Sequence, residues 1–86
     1  MTMTVWLVEA PGPHYLGVRN LVNGSDFFWT RDRDKAIPFI TQKQADSVMM
    51  GVRTLNKDIF NFAKVLSDPK PTSHSCEFTN GELIFT

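Results

Sequence analysis

Apolar and polar positions alternate along the first third of the chain, then take up a helical period. Residues 3–9 (MTVWLVE) are rich in β-branched and aromatic side chains and predict a first strand. Pro11-Gly12-Pro13 stops it, because proline fixes φ and removes a backbone donor. Residues 15–22 (YLGVRNLV) predict a second strand and residues 27–30 a third. Asn23-Gly24-Ser25-Asp26 supplies a tight turn between them, since Asn and Gly tolerate positive φ. Together these make a β-meander.

Residues 41–55 carry the clearest signal. Thr41-Gln42-Lys43-Gln44 has the form of a capping box, with Thr41 accepting from the Gln44 amide and the Gln44 side chain reaching back to the Thr41 amide. Ile40 stands at the apolar staple position. Ala45, Val48, Met49, Val52 and Leu55 then repeat at the spacing of one helix face, which predicts a helix over 42–55. Residues 59–66 (IFNFAKVL) fit a strand or a helical turn. The strand is preferred because Asn56-Lys57-Asp58 resembles a helix exit. Residues 67–75, with Pro69 and Pro71, read as an exposed linker. The tail from Cys76 to Thr86 holds two alternating runs around Asn80-Gly81, a hairpin signal. The expected fold is α+β: an antiparallel sheet, meander plus C-terminal hairpin, of about six strands with one amphipathic helix on one face.

The 86 residues suffice for a single globular domain spanning 1–86, near the lower limit for a core without staples. A 12% aromatic fraction lets a small core be built from few side chains. One cysteine excludes an internal disulfide framework and points to a reducing compartment. There is no apolar run long enough for a membrane span and no signal-peptide pattern at the N-terminus, so a cytoplasmic location is expected. Nine basic residues balance nine acidic ones, which disfavours non-specific attraction to nucleic acid or to a membrane. Near-zero net charge is compatible with a monomer or a homodimer.

Candidate chemistry is sparse. His74-x-Cys76 with His14 offers three soft ligands, one short of a structural zinc set. Asp32-x-Asp34 has the form of a divalent-ion pair, but Arg31, Arg33 and Lys35 interleave and neutralise it. Cys76 beside His74 lacks an oxyanion feature, and the five glycines are too dispersed for a phosphate loop. No metal, no cofactor and no enzymatic activity are expected.

The stretch FFWTRDRDKAIPF, residues 27–39, divides into a corner and a remainder. Phe27 and Phe28 fall on opposite strand faces. Asp32 or Asp34 caps a short turn that Pro38 stops. What remains is Trp29 with Arg31 and Arg33, residue types favoured at interfaces. Met50 lies off the main helix stripe beside Gly51; of exposure and a widened core face, the latter is preferred. A partner-binding surface is therefore placed on Trp29, Arg31, Asp32, Arg33 and Lys35, with Met50 and Arg53 on the helix. The alternative is a nucleic-acid regulator that stacks bases on Trp29 and holds phosphates with Arg19, Arg31 and Arg33.

Residues 15–53 resemble a pattern recurrent in small bacteriophage and prophage accessory proteins. The matching positions are Trp29-Thr30, Asp32, Lys35-Ala36, Phe39-Ile40-Thr41 and Gln44-Ala45-Asp46. The resemblance covers about half the chain. It implies a small α+β fold and a viral setting in which such proteins bind and inhibit a host machine, including defence systems such as CRISPR effectors. The expectation is a non-enzymatic protein that binds a bacterial host protein, in the host cytoplasm.

Overall fold

A computed structural model describes residues 2–22, 24–55 and 69–86. Strands β1 (Thr2–Ala10), β2 (His14–Leu21) and β3 (Gly24–Thr30) are followed by a single 3₁₀ turn at Arg33–Lys35 and by helix α1 (Gln42–Leu55). Strands β4 (Lys70–Thr79) and β5 (Glu82–Phe85) complete an antiparallel sheet of order β3-β2-β1-β4-β5. The α+β class, the meander, the terminal hairpin and the single packed helix are as the sequence predicts.

The sheet is not evenly laced. β1 pairs with β4 along its length, from Thr2 opposite Glu77 to Glu9 opposite Lys70. With β2 it pairs only at Glu9–Tyr15 and Ala10–His14, beside the Pro11-Gly12-Pro13 turn. Beyond that the two strands part, and residues 37–39 enter the gap. Trp6 donates to the Phe39 carbonyl at 2.7 Å, Phe39 donates back at 2.9 Å, and Ile37 donates to the Leu16 carbonyl at 3.0 Å. Buried backbone groups that lose a strand partner need another one, and this short segment supplies it. Pro38, which has no N–H to satisfy, is exposed between the two bonding residues.

Central strand β1 is consequently buried on both faces. Val8 packs with Leu16, Ala45, Met49 and Val52 under the helix, and Trp6, Phe27, Trp29, Ile37 and Phe39 border them. Val5 and Leu7 face the other way, into a second core with Tyr15, Ala36 and Cys76, bordered by Leu83 and Phe85. The 3₁₀ turn closes this second core from above. The guanidinium of Arg33 lies 4.5 Å from the Phe85 ring centroid, a cation–π contact. Asp32 caps the turn by accepting from the Asp34 amide at 3.0 Å.

Several boundaries differ from expectation for identifiable reasons. Residues 70–75 belong to β4 rather than to a linker. The Thr86 amide donates to the Ser75 carbonyl, so odd-numbered β4 residues aim their backbone groups away from β1. Pro71, opposite Val8, therefore lacks its N–H on the flank where β5, paired only from Cys76 onward, does not reach. β3 begins at Gly24, opposite Leu21, three residues before Phe27. Half of the capping box forms as expected, the Gln44 amide donating to Thr41 Oγ1 at 3.2 Å, while the Gln44 side-chain oxygen accepts from the Ile40 amide rather than from Thr41. Ile40 is 64% exposed and makes no staple; neighbouring Phe39 packs instead. The described residues form five strands, and the strand expected at 59–66 lies outside them. The hairpin turn matches: Asn80 and Gly81 have φ of 53° and 80° between paired Thr79 and Glu82.

The approach of the 3₁₀ turn to the sheet depends on Gly17. A Cβ there would stand 2.8 Å from the Lys35 carbonyl oxygen and 2.8 Å from Phe28 Cζ. Because one of these atoms is backbone, the turn itself would have to lift. Gly17→Ala is expected to cost about 2 kcal/mol in denaturant unfolding. Gly51→Ala, mid-helix with nothing near its added Cβ, is expected to gain about 0.5–1 kcal/mol in the same measurement.

Candidate functional site

The residues singled out between Trp29 and Lys35 are sent to different parts of the fold. Trp29, opposite Leu16 in the β2–β3 ladder, is half-buried against the core under α1. Phe28, one residue earlier, faces the other way and lies 5.2 Å beneath the Arg19 guanidinium, which also pairs with Asp26 at 3.6 Å. Asp32 is exposed but occupied as a cap, and its own amide donates to Thr30 Oγ1 at 3.0 Å. Arg33 is folded onto Phe85. Arg31 and Lys35 are exposed, the latter beside Val18, Arg19 and Phe28. Met50 is 52% exposed, so it does not widen the core face; with Lys43, Asp46 and Ser47 it borders a shallow dip on the outer side of α1. Arg53 is half-buried on the same helix. Trp29, Arg19 and Arg33 thus do not form one stacking platform.

A different surface does assemble. Between the segment holding Asp34, Ala36 and Pro38 and the β4–β5 hairpin runs an open groove of about 620 Å³. Phe78 and Ile84 border it, 49% and 51% exposed, large apolar side chains left half in water. The alternation that marks residues 76–86 as a hairpin is legible in the sequence. That this hairpin ends the sheet, with a wall of 3₁₀ turn beside it, depends on tertiary placement.

The second core carries one polar cluster. Thr72 Oγ1, Glu9 Oε1 and His74 Nε2 form a triangle with sides of 3.0, 2.9 and 3.2 Å. The Thr72 hydroxyl donates toward Glu9 Oε1 at 3.0 Å, with the Leu7 carbonyl at 3.5 Å, and the tautomer with Nε2–H on His74 would complete the set. His74 meets the rings of Tyr15 and Phe85 edge-on, at 5.9 and 6.0 Å. This commits Nε2 toward Thr72, two residues back along β4, and away from fully buried Cys76, two residues forward. The arrangement anchors β4 on β1 and does not activate the thiol. Among the described residues no three His, Cys, Asp or Glu side chains gather at one point, and no helix is long and apolar enough to cross a membrane.

Compared with protein-family models, curated proteins and solved structures, the chain matches none significantly.

Tyr15 reports on the second core. Its burial raises the phenol above the ordinary value of 10.0, the nearby Glu9 carboxylate raises it further, and Arg33 partly offsets both. The folded state therefore holds this proton more tightly than the unfolded state. That contribution is intact below pH 10 and is lost as pH climbs through the raised value. Tyr15 is the only tyrosine, so phenolate absorbance reads it directly. Its midpoint is expected above 10, with the stability of the native chain falling relative to Tyr15→Phe over the same alkaline range. A midpoint at or below the ordinary value contradicts the burial of this core.

Proposed function

We propose that the protein acts by binding another protein and occluding a site on it, through the groove side of the β4–β5 hairpin. The observation that carries this reading is that Phe78 and Ile84, on opposite faces of the terminal hairpin, both border the groove and both stay half-exposed. Leaving two such side chains in water forfeits burial free energy that a partner's surface recovers. Asp34, which lies between the singled-out Arg33 and Lys35, lines the same groove, and Arg33 is fixed on Phe85 beside it. The exposed corner and the hairpin therefore offer one continuous docking face. The resemblance of residues 15–53 to phage accessory proteins supplies the setting: a bacterial host protein, such as a CRISPR effector or another defence component, blocked in the cytoplasm without chemistry.

One observation favours a second reading. Arg19 and Lys35 flank Phe28 on the face opposite the helix, two cations around an aromatic ring. Such a site suits a single-stranded nucleic acid. The Asp26 carboxylate on Arg19 and the balanced net charge weaken it.

Affinity capture from a bacterial lysate separates the two. The native chain is expected to retain a protein in stoichiometric amount, with chemical crosslinks falling on the β4–β5 hairpin and residues 33–36. Phe78→Ser/Ile84→Ser should reduce retention roughly tenfold or more, with the fold retained by circular dichroism at the capture temperature since each side chain is only half-buried. Equal capture by native and variant chains contradicts the reading. So does recovery of nucleic acid alone, released steeply by salt.

A further inference from the structure

The groove beside β5 has three properties that together specify an occupant. β5 is the end strand of the sheet, and among the described residues it pairs with β4 alone. The Thr86 amide donates to the Ser75 carbonyl, so even-numbered residues of this strand aim their backbone groups at β4. Alternation then turns the N–H and C=O of Leu83 and Phe85 outward, along the groove. These form a short row of donors and acceptors at the spacing of an extended chain, not of a helix. The facing wall, Ala36 and Pro38, is apolar, and Pro38 has no N–H to compete for those groups.

Charge supplies the third property. Among the residues lining the groove, both charged ones, Asp34 and Glu82, are acids. Arg33 is held on the Phe85 ring at the other end of the strand. The register puts Phe78 with Leu83 and Phe85 on one face of the hairpin and Glu82 with Ile84 on the other. An alternating occupant is therefore favoured when its cations lie on the Glu82 face and its apolar side chains on the Phe78 face. A second copy of this chain does not fit that description, because its β5, Glu82-Leu83-Ile84-Phe85, carries an acid and no base.

We infer that this groove accepts an extended peptide segment of the partner, alternating apolar with lysine or arginine side chains, which adds to β5 as a sixth strand. The inference rests on the protein-binding reading above and specifies the chemistry of what is bound. The 3₁₀ turn and β5 are both fixed by the second core, so the two walls are present before binding, which limits the ordering cost to the incoming segment.

The test uses the full chain and synthetic peptides. The probes are a short labelled peptide alternating valine with lysine, its glutamate counterpart, and lysine peptides N-methylated on one or the other alternate set of residues. The lysine peptide is expected to bind, shifting the amide resonances of Leu83 and Phe85, and the glutamate peptide to bind roughly tenfold more weakly or less. Only one of the two N-methylation patterns should abolish binding, because only one set of amides faces β5. Asp34→Lys/Glu82→Lys, substitutions at exposed positions, should reverse the charge preference. Equal binding of both peptides, tolerance of both N-methylation patterns, or amide shifts confined to another surface would overturn the inference. So would concentration-dependent dimerisation that shifts the Leu83 and Phe85 amides without peptide. If lysate capture depends on Phe78 and Ile84 yet no peptide binds, strand addition falls and the protein-binding reading stands. If peptides bind as described and the lysate yields no protein, the groove stands and the reading of a host partner falls.

Discussion

Beyond the short Glu9–Tyr15 and Ala10–His14 pairing, three backbone hydrogen bonds hold the two halves of this sheet together. They run from Ile37 to Leu16 and, reciprocally, between Phe39 and Trp6. Where β1 and β2 part company, each would otherwise leave buried amide and carbonyl groups without partners, at a cost of roughly 1–3 kcal/mol apiece. Residues 37–39 take up those groups. In doing so they bring Ile37 and Phe39 against the helix-side core and draw Ala36 into the second core on the opposite face. One short segment thus links the two hydrophobic clusters, and Gly17 is the residue whose missing side chain lets the adjoining turn descend far enough.

The functional geometry follows from that placement. With residues 37–39 fixed between β1 and β2, the preceding turn lies across Tyr15 and Phe85, and Asp34, Ala36 and Pro38 form a wall opposite the terminal hairpin. The Glu9–Thr72–His74 triangle ties β4 to β1 beneath it, which holds the other wall. The groove is therefore a by-product of closing a sheet that is laced on one side of β1 and wedged on the other. Its apolar rim is what the closure leaves uncovered.

Local signals were legible where local physics decides. Helix α1 spans the residues its apolar period indicates, and the Asn80-Gly81 hairpin lies where its two left-handed residues require it. Pro71 misleads because a missing donor is harmless on a flank that no described strand pairs, and only the register reveals which flank that is. Trp29 invites a binding role by residue type, yet its strand parity and its position opposite Leu16 turn it toward the helix. Ile40 and Phe39 exchange the roles the capping pattern suggests, since Phe39 is committed to Trp6 by backbone bonds that no sequence period encodes. The candidate groove was legible only in part. Its hairpin is a sequence feature, whereas its facing wall comes from residues distant in the chain.

Amide hydrogen exchange tests the wedge most directly. If residues 37–39 join β1 and β2, the Trp6, Ile37 and Phe39 amides exchange as slowly as the amides of the β1–β4 ladder and are released in the same cooperative opening. If the Ile37 and Phe39 amides exchange at the rates of a solvated loop while the β1–β4 amides stay protected, residues 37–39 do not bridge the strands, and the closure of the sheet described above is wrong.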